Sequence, residues 1–253
     1  MLDTHCHLND TQYDGEVGHI VDRFLDEGVE KVICVGCDTV SNEKAKQIAD
    51  TYDSVYYAVG IHPDECMTYN EDKLVRYLDS NDKKLVAIGE IGLDYYHNKE
   101  NKAKQKEVFV RQIKLAKKYH LPIIIHCRDA YGDMLDILRE YAPFDDGAVM
   151  HCFSGSVEWA NEIIRLGIKI SFTGSVTFKN AKNLHEVAKH IPLDTFFFET
   201  DSPYLSPEPN RGKRNEPKRV FDVLKFVAEL RGLSAGELEK ITDINAKNFF
   251  KIN

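Results

Sequence analysis

The sequence predicts a single α/β domain spanning residues 1–253, folded as a (β/α)8 (TIM) barrel with an extra C-terminal helix. Short apolar runs rich in β-branched and aromatic residues alternate with longer amphipathic stretches along the chain, as expected for parallel strands joined by helices. An open doubly wound sheet is the alternative. The first run is not followed by the glycine-rich phosphate turn usual in such sheets, so the closed barrel is favoured.

The predicted strands are the short apolar runs, which are too apolar to be exposed and therefore resemble the buried strands of a parallel sheet. They cover residues 2–8, 31–36, 55–61, 85–91, 122–127, 148–153, 168–172 and 195–199.

The predicted helices lie between these runs and show apolar residues at helical spacing. The pattern is clearest at residues 101–119, 131–141, 157–166 and 181–190. Gly28 and Gly167 lie where helix C-terminal caps are expected. After the last strand, two closing helices are predicted at 217–231 and 235–250, which supply the extra C-terminal helix.

The composition is that of a globular protein without membrane segments, with 43% hydrophobic residues and no apolar run of about 20 residues. The N-terminal stretch lacks the basic and apolar regions of a signal peptide, so a cytoplasmic location and six reduced cysteines are expected. The net charge of −8 argues against a general nucleic-acid coat, which needs a broad basic surface. No oligomeric state is indicated.

Histidines and a carboxylate fall at the C-terminal ends of predicted strands, where barrel enzymes carry their active sites. His5 and His7 are two residues apart on the first strand, so their side chains point to the same face. Glu90 follows a strongly apolar run, where a carboxylate is costly to bury unless a cation compensates its charge. His126 and His151 each end a strand. Because imidazoles and carboxylates bind divalent transition metals, a metal centre is predicted here.

Asp201 completes the predicted ligand set from just beyond the eighth strand. If the barrel closes, this residue lies next to the first strand and therefore beside His5 and His7. Its carboxylate can then bind the same ion and accept a proton from a bound water. The position therefore predicts a general base for hydrolysis.

Candidates for substrate binding also follow the strands. Arg128 is placed to bind a phosphate or carboxylate oxygen. His62 either contacts substrate at the barrel mouth or serves loop structure. The segment 211–219 carries five basic residues in nine, among them Arg211 and Arg214. By itself such a segment is typical of a solvated loop, but its place after the eighth strand favours contacts with substrate phosphates.

Several motifs recur in order along the chain: Asp3-Thr4-His5-Cys6-His7-Leu8, Gly60-Ile61-His62-Pro63, Gly89-Glu90-Ile91-Gly92-Leu93-Asp94-Tyr95, His126-Cys127-Arg128-Asp129-Ala130, His151-Cys152-Phe153-Ser154-Gly155 and Glu199-Thr200-Asp201-Ser202-Pro203-Tyr204-Leu205. Together with the basic segment 211–217 and its Asn-Glu-Pro ending, they resemble the TatD family of metal-dependent deoxyribonucleases, a branch of the amidohydrolase superfamily. The resemblance covers nearly the whole chain. Asn9, where an Asp often follows the first motif, is the one departure noted.

The resemblance implies a (β/α)8 fold that holds one to three divalent ions and hydrolyses DNA phosphodiester bonds. We expect two ions per chain, Mg²⁺, Mn²⁺ or Zn²⁺, with DNA as partner and single-stranded ends as the preferred site of cleavage. Asp201 and Glu90 are the expected catalytic residues. The resemblance also implies how the ligands are shared: one ion on His5, His7 and Asp201, another on His126 and His151, and Glu90 between them.

Two other functions fit the same residues. The ligands also suit hydrolysis of an ester or amide, such as the aminoacyl link on tRNA, because a metal-activated water attacks carbonyl and phosphoryl centres alike. A non-catalytic binding protein on a barrel scaffold is the third interpretation, which an intact ligand set disfavours. For a nucleic-acid substrate, Phe153 and Tyr204 are candidates to stack on bases.

Overall fold

Eight parallel strands form one sheet in the computed structural model of the protein, which describes residues 1–252. The strands pair in chain order, so each strand neighbours the next one along the sequence. They are β1 (Leu2–Cys6), β2 (Lys31–Val35), β3 (Val55–Val59), β4 (Leu85–Asp94), β5 (Ile123–Arg128), β6 (Ala148–Met150), β7 (Lys169–Phe172) and β8 (Phe196–Phe198). The predicted barrel fold is confirmed.

The barrel closes between β8 and β1 through residues that follow β8. The amide of Asp201 donates to the carbonyl of His5 at 2.9 Å, and the amide of His7 donates to the carbonyl of Ser202 at 2.7 Å. These bonds bring Asp201 next to the two histidines of the first strand, as expected for a closed barrel.

Helices connect the strands and continue beyond the last one. They are α1 (Val17–Asp22), α2 (Thr39–Thr51), α3 (Glu71–Leu78), α4 (Lys102–Tyr119), α5 (Tyr131–Tyr141), α6 (Val157–Arg165), α7 (Lys182–His190), α8 (Val220–Arg231) and α9 (Ala235–Phe250). The helix predicted at 217–231 begins with a separate 3-10 turn, Pro217–Arg219, before α8. Proline suits such a start because it has no amide hydrogen to contribute within a helix.

Some predicted strands are longer than the observed ones. The prediction at 148–153 extends past β6, because the chain turns at Cys152, whose φ of 45° lies in the left-handed region. The amide of Cys152 there donates to the Glu199 carboxylate at 2.7 Å instead of to a neighbouring strand. This turn ends β6 at the barrel mouth.

The interior of the barrel is filled with apolar side chains below the mouth. The buried residues of this layer are Leu2, Ile33, Val35, Ala58, Val86, Ala87, Ile124, Val149 and Phe197. Helix α9 packs Phe250 against the same layer, with the rings of Phe250 and Phe197 5.9 Å apart. The extra C-terminal helix thus covers the end of the barrel opposite the mouth.

Two expectations from composition can be compared with the structure. Within residues 1–252, no helix is both long enough and apolar enough to cross a membrane.

The six cysteines are all free thiols, in agreement with the prediction. Cys6 points away from the barrel interior and donates to the carbonyl of Ile33 at 3.5 Å, so the predicted burial of this thiol is also observed.

Candidate metal centre

The six predicted metal ligands converge at the barrel mouth. Three lie on strands β1, β4 and β5, and three lie in the residues that immediately follow β1, β6 and β8. Parallel strands of a barrel all end on the same side, so side chains that are far apart in sequence meet there. These residues are His5, His7, Glu90, His126, His151 and Asp201.

One half of the cluster, the first pole, contains His5, His7 and Asp201. The Nε2 atoms of the two histidines are 3.1 Å apart. Asp201 Oδ1 lies 3.6 Å from His5 Nε2 and 3.2 Å from His7 Nε2. Glu90 Oε2 faces the same nitrogens at 3.5 and 3.7 Å. Two imidazoles and two carboxylates therefore point at one small volume.

The other half of the cluster, the second pole, contains His126 and His151. Glu90 Oε1 lies 2.8 Å from His126 Nδ1 and 2.8 Å from His151 Nε2. The two ring nitrogens are 3.3 Å from each other. Each oxygen of the single Glu90 carboxylate thus faces a different pair of histidines.

Close packing of β4 against β5 brings Glu90 next to His126. Gly92 on β4 is paired with His126 on β5 and has a φ of +148°, a conformation that other residues rarely adopt. A Cβ atom at this position would lie 2.0 Å from the carbonyl oxygen of His126. Glycine therefore allows the strand that carries Glu90 to approach its neighbour.

The histidines are oriented by contacts behind the cluster. His7 Nδ1 lies 2.9 Å from the carbonyl of Val35, which fixes this nitrogen as a donor. His126 Nε2 lies 3.1 Å from Oδ2 of the buried Asp94, so Nδ1 of the same ring faces Glu90. Outer acceptors of this kind are usual behind metal-binding histidines.

Two buried carboxylates near the cluster are not assigned a role by the sequence patterns. Asp94 lies behind His126, and Glu199 lies 3.4 Å from His151 Nδ1. Both belong to the family motifs, and both sit near strand ends among apolar residues. A buried carboxylate in such a run is the only sequence signal that could identify them.

Charges in the cluster favour ionised carboxylates. Burial acts to raise the pKa of Glu90, but the charge of His151 and hydrogen bonds from His126 and His151 hold it well below its usual range. Burial likewise opposes ionisation of Asp201, yet His7 and the neighbouring histidines lower its pKa. Burial and the nearby His126 lower the pKa of His62 to about 3, so this ring is neutral at neutral pH.

The donor set fits divalent metal ions. Candidate ligand atoms of His5, His7 and Glu90 all lie within 4.8 Å of one another, and so do those of Glu90, His126 and His151. Imidazole nitrogens combined with carboxylates suit Zn²⁺ and Mn²⁺, and a carboxylate with one oxygen for each pole can serve two ions.

Among the predicted substrate-binding residues, His62 lies closest to the cluster, with Nε2 3.5 Å from Glu90 Oε1. Arg128 is exposed at the end of β5, and its guanidinium lies 4.2 Å from the centre of the Tyr96 ring. Arg211 is also exposed and lies 4.1 Å from the centre of the Phe178 ring. Both arginines are held against aromatic faces, Arg128 at the end of β5 and Arg211 in the loop that follows β8.

Arg214 forms an ion pair with a carboxylate of the protein itself. Its guanidinium nitrogens lie 2.9 and 2.7 Å from the two carboxylate oxygens of Glu16, and it also donates to the carbonyl of Gln12 at 2.7 Å. Lys218 in the same segment pairs with Glu27 at 3.0 Å. Part of the positive charge of the basic segment is therefore neutralised within the protein.

The two aromatic residues considered for base stacking differ in exposure. Phe153 is only 1% exposed, so its predicted role in stacking on bases is wrong: the ring packs into the layer between the barrel and its helices. Tyr204 is 48% exposed, and its ring centre lies 6.1 Å from that of His7. Tyr204 is thus the one of the pair that is available at the mouth.

A parallel (β/α)8 barrel that gathers histidines and carboxylates at its C-terminal mouth has the architecture of a metal-dependent hydrolase. Comparison with known proteins gives the family. The model of the family "TatD related DNase" matches residues 2–251. The chain therefore belongs to the TatD DNase family, and the resemblance carried by its motifs is confirmed.

The relatives include proteins with and without a named substrate. The chain is 46% identical to the uncharacterized metal-dependent hydrolase YabD of Bacillus subtilis, with 100% of both chains covered. It is 33% identical to the 3'-5' ssDNA/RNA exonuclease TatD of Cronobacter sakazakii, over 100% of this chain and 98% of the relative. The crystal structure of the TatD homologue YjjV from Escherichia coli superposes with a TM-score of 0.95 at 29% identity, covering 100% and 98% of the two chains.

Proposed function

We propose that the protein is a two-metal exonuclease that hydrolyses phosphodiester bonds at single-stranded ends of DNA. The observation that carries the proposal is the position of Glu90 between two pairs of histidines, one carboxylate oxygen for each pair. His5, His7 and Asp201 would hold one ion, and His126 and His151 the other. Glu90 would bridge them.

The chemistry of such a centre suits a phosphodiester. Two bound divalent ions would lower the pKa of a water and place positive charge opposite the scissile phosphate. Asp201 is the proposed general base, because its carboxylate is ionised at neutral pH and lies at the edge of the cluster, with its side chain 14% exposed. A proton from the attacking water would pass to a carboxylate oxygen of Asp201.

A polyanionic substrate is compatible with an overall charge of −8 because bound divalent ions and the exposed Arg128 and Arg211 would supply positive charge locally. Arg128 and Arg211 would bind phosphates beside the scissile bond, and His62 would contact the scissile group. The exposed ring of Tyr204 would stack on a base. Arg214 is a weaker candidate, since Glu16 neutralises its charge.

Single-stranded nucleic acid is favoured by the burial of the site. The ligand pairs lie at the top of an eight-stranded barrel and are themselves largely buried. One strand can enter a mouth of this kind end first, whereas a duplex would need its ends opened. The relative from Cronobacter sakazakii that is named as an exonuclease of single-stranded DNA and RNA supports the same substrate class.

The direct test is cleavage of a 5'-labelled single-stranded DNA oligonucleotide by metal-stripped protein resupplied with Mg²⁺, Mn²⁺ or Zn²⁺. We expect a ladder of products shortened from the 3' end that depends on the metal. The same oligonucleotide as a blunt duplex is expected to react more slowly, and the comparison of metals identifies the preferred ion.

The control is His120→Ala, which alters an exposed histidine at the opposite end of β5 and should cleave like the wild type. Protein that binds metal stoichiometrically but cleaves neither DNA nor RNA with any of the three ions would contradict the proposal. In that case an ester or amide bond, with aminoacyl-tRNA first, would be the substrate to test.

A further inference from the structure

We propose that Glu199 is a positioning residue that orients one histidine of each pole, His151 and His5, toward the metal ions. This role rests on the proposed metal centre. In this role the Glu199 carboxylate would not contact the proposed ions. It would link the two poles by contacting one histidine of each.

Glu199 lies just beyond β8, is 1% exposed, and is held by two other contacts. Its Oε1 accepts a hydrogen bond from the amide of Cys152 at 2.7 Å, and its Oε2 accepts one from the hydroxyl of Ser171 at 2.6 Å. These bonds come from the turn after β6 and from β7, so the carboxylate is fixed between two strands. No arginine or lysine pairs with it among residues 1–252.

His151 faces Glu199 with one ring nitrogen and Glu90 with the other. Its Nδ1 lies 3.4 Å from Glu199 Oε1, while its Nε2 lies 2.8 Å from Glu90 Oε1. A proton on Nδ1 directed at Glu199 leaves the lone pair of Nε2 free to bind an ion. Asp94 stands in the same relation to His126, which is how a carboxylate fixes the tautomer of a metal-binding histidine.

His5 shares this environment from the first pole. Its ring stacks on that of His151, with centres 4.1 Å apart and planes 9° from parallel. One ligand-capable atom from each of His5, His151 and Glu199 lies within 4.8 Å of the others. The Nδ1 atoms of both rings are buried and lack a regular hydrogen bond to any residue from 1 to 252.

These observations indicate that the Glu199 carboxylate serves as acceptor for the Nδ1–H groups of both His5 and His151. A buried ring N–H without an acceptor is unfavourable. Glu90 faces the Nε2 atoms of both rings, and Glu199 is a second carboxylate with an oxygen within 4.8 Å of a nitrogen of each ring. When Nε2 of each ring binds an ion, each Nδ1 must carry its proton. Glu199 then accepts from both N–H groups.

The test measures zinc affinity rather than hydrolysis. Glu199→Met removes the acceptor at nearly constant volume, and Glu199→Gln keeps an acceptor oxygen but removes the charge. His120→Ala, which alters an exposed histidine at the other end of β5, is the control. Stripped proteins are titrated with Zn²⁺ against a chromophoric chelator, and thermal unfolding of the stripped proteins measures any purely structural effect. Histidine ring ¹⁵N spectra of the zinc-loaded proteins report the tautomers of His5 and His151.

We expect Glu199→Met to bind both zinc ions roughly 10–100-fold more weakly, the range typical for loss of an outer partner. Glu199→Gln should fall between this variant and the wild type, and His120→Ala should bind zinc like the wild type. The Nδ1–H signals of His5 and His151 should exchange faster in Glu199→Met.

Wild-type zinc affinity in Glu199→Gln would overturn the proposal, even if Glu199→Met failed to fold. Weakening of one ion alone would overturn the shared role. Failure of the wild-type protein to bind zinc would instead overturn the metal centre itself, so the two failures are distinguishable.

Discussion

The two ends of the barrel are built from the same strands but differ in almost every physical property. At the mouth, β4 and β5 present Glu90 and His126 in a cluster of imidazoles and carboxylates. Toward the other end, the same strands present Val86 and Ile124 to an apolar layer covered by α9. The apolar end adds its buried surface to the folding free energy, whereas the mouth is free to hold charged groups that a core would exclude.

The largest expected effect on function comes from the mouth. His126→Ala removes a proposed ligand of the second pole, and we expect hydrolysis to fall by more than the ~100-fold that marks the loss of an outer partner. The stripped variant should unfold at a lower temperature than the stripped wild type, because His126 lies 2.8 Å from Glu90 and 3.1 Å from Asp94 and compensates these buried carboxylates. The rate is measured by oligonucleotide cleavage under saturating metal.

The matched control for His126→Ala lies at the other end of the same strand. His120 precedes β5, has its side chain 81% exposed and pairs with Asp146 at 3.3 Å. His120→Ala should leave both rate and stability nearly unchanged. Equal loss of activity in the two variants would break the separation between the ends.

The largest expected effect on stability comes from the opposite end. Phe250 on α9 is 2% exposed and packs on the layer inside the barrel. Phe250→Ala should lower the free energy of unfolding by about 3–5 kcal/mol, the usual result of emptying a buried aromatic site. Urea unfolding of the stripped protein measures this change, and the rate of the folded protein should remain near that of the wild type.

A control on the same helix sharpens that result. Ile244 on α9 is 59% exposed, so Ile244→Ala should change stability by no more than about 0.5 kcal/mol. A large loss of activity in folded Phe250→Ala would show that the covered end also serves the reaction, contrary to the comparison.

A smaller effect is expected from the aromatic ring at the mouth. Tyr204→Ala should weaken binding of single-stranded DNA by about 1–3 kcal/mol if the ring stacks on a base. Tyr204→Phe keeps the ring but loses the hydrogen bond that the hydroxyl donates to Asp10 at 2.5 Å. Binding measured by fluorescence anisotropy should be near wild type in Tyr204→Phe, and equal weakening in both variants would exclude stacking.

The smallest expected effect compares two arginines of the basic segment. Arg211 stacks on Phe178 and makes no ion pair among residues 1–252, whereas Arg214 is paired with Glu16. Arg211→Ala should reduce the slope of log affinity for single-stranded DNA against log salt by about 0.7, the value for one phosphate contact. Arg214→Ala should leave that slope unchanged, and the reverse order would contradict the assignment of charges.

Much of the fold is predictable because an apolar run marks each strand in the sequence, and a histidine or carboxylate marks the end of several of them. The ligand positions follow from the same rule, since strand ends of a barrel meet on one side. His151 and Asp201 are 50 residues apart, yet their places at strand ends suffice to assign them to one cluster.

The remaining features depend on contacts that no local pattern encodes. The sequence does not indicate that Glu16, 198 residues away, neutralises Arg214, nor that Phe153 turns into the core. The roles of Asp94 and Glu199 are hidden for a similar reason. Each of these carboxylates contacts the centre only through a histidine that is distant in sequence: Asp94 through His126, and Glu199 through His151.

The most direct test of the bridged metal centre is the metal content of the protein, measured by elemental analysis after equilibration with Zn²⁺ or Mn²⁺ and removal of free ion. With Glu90 facing both pairs of histidines, we predict two ions per wild-type chain and a marked loss of both in Glu90→Gln, with His120→Ala unchanged. Wild-type protein that retains no stoichiometric metal, or Glu90→Gln that retains two ions with undiminished affinity, would contradict a metal centre bridged by Glu90.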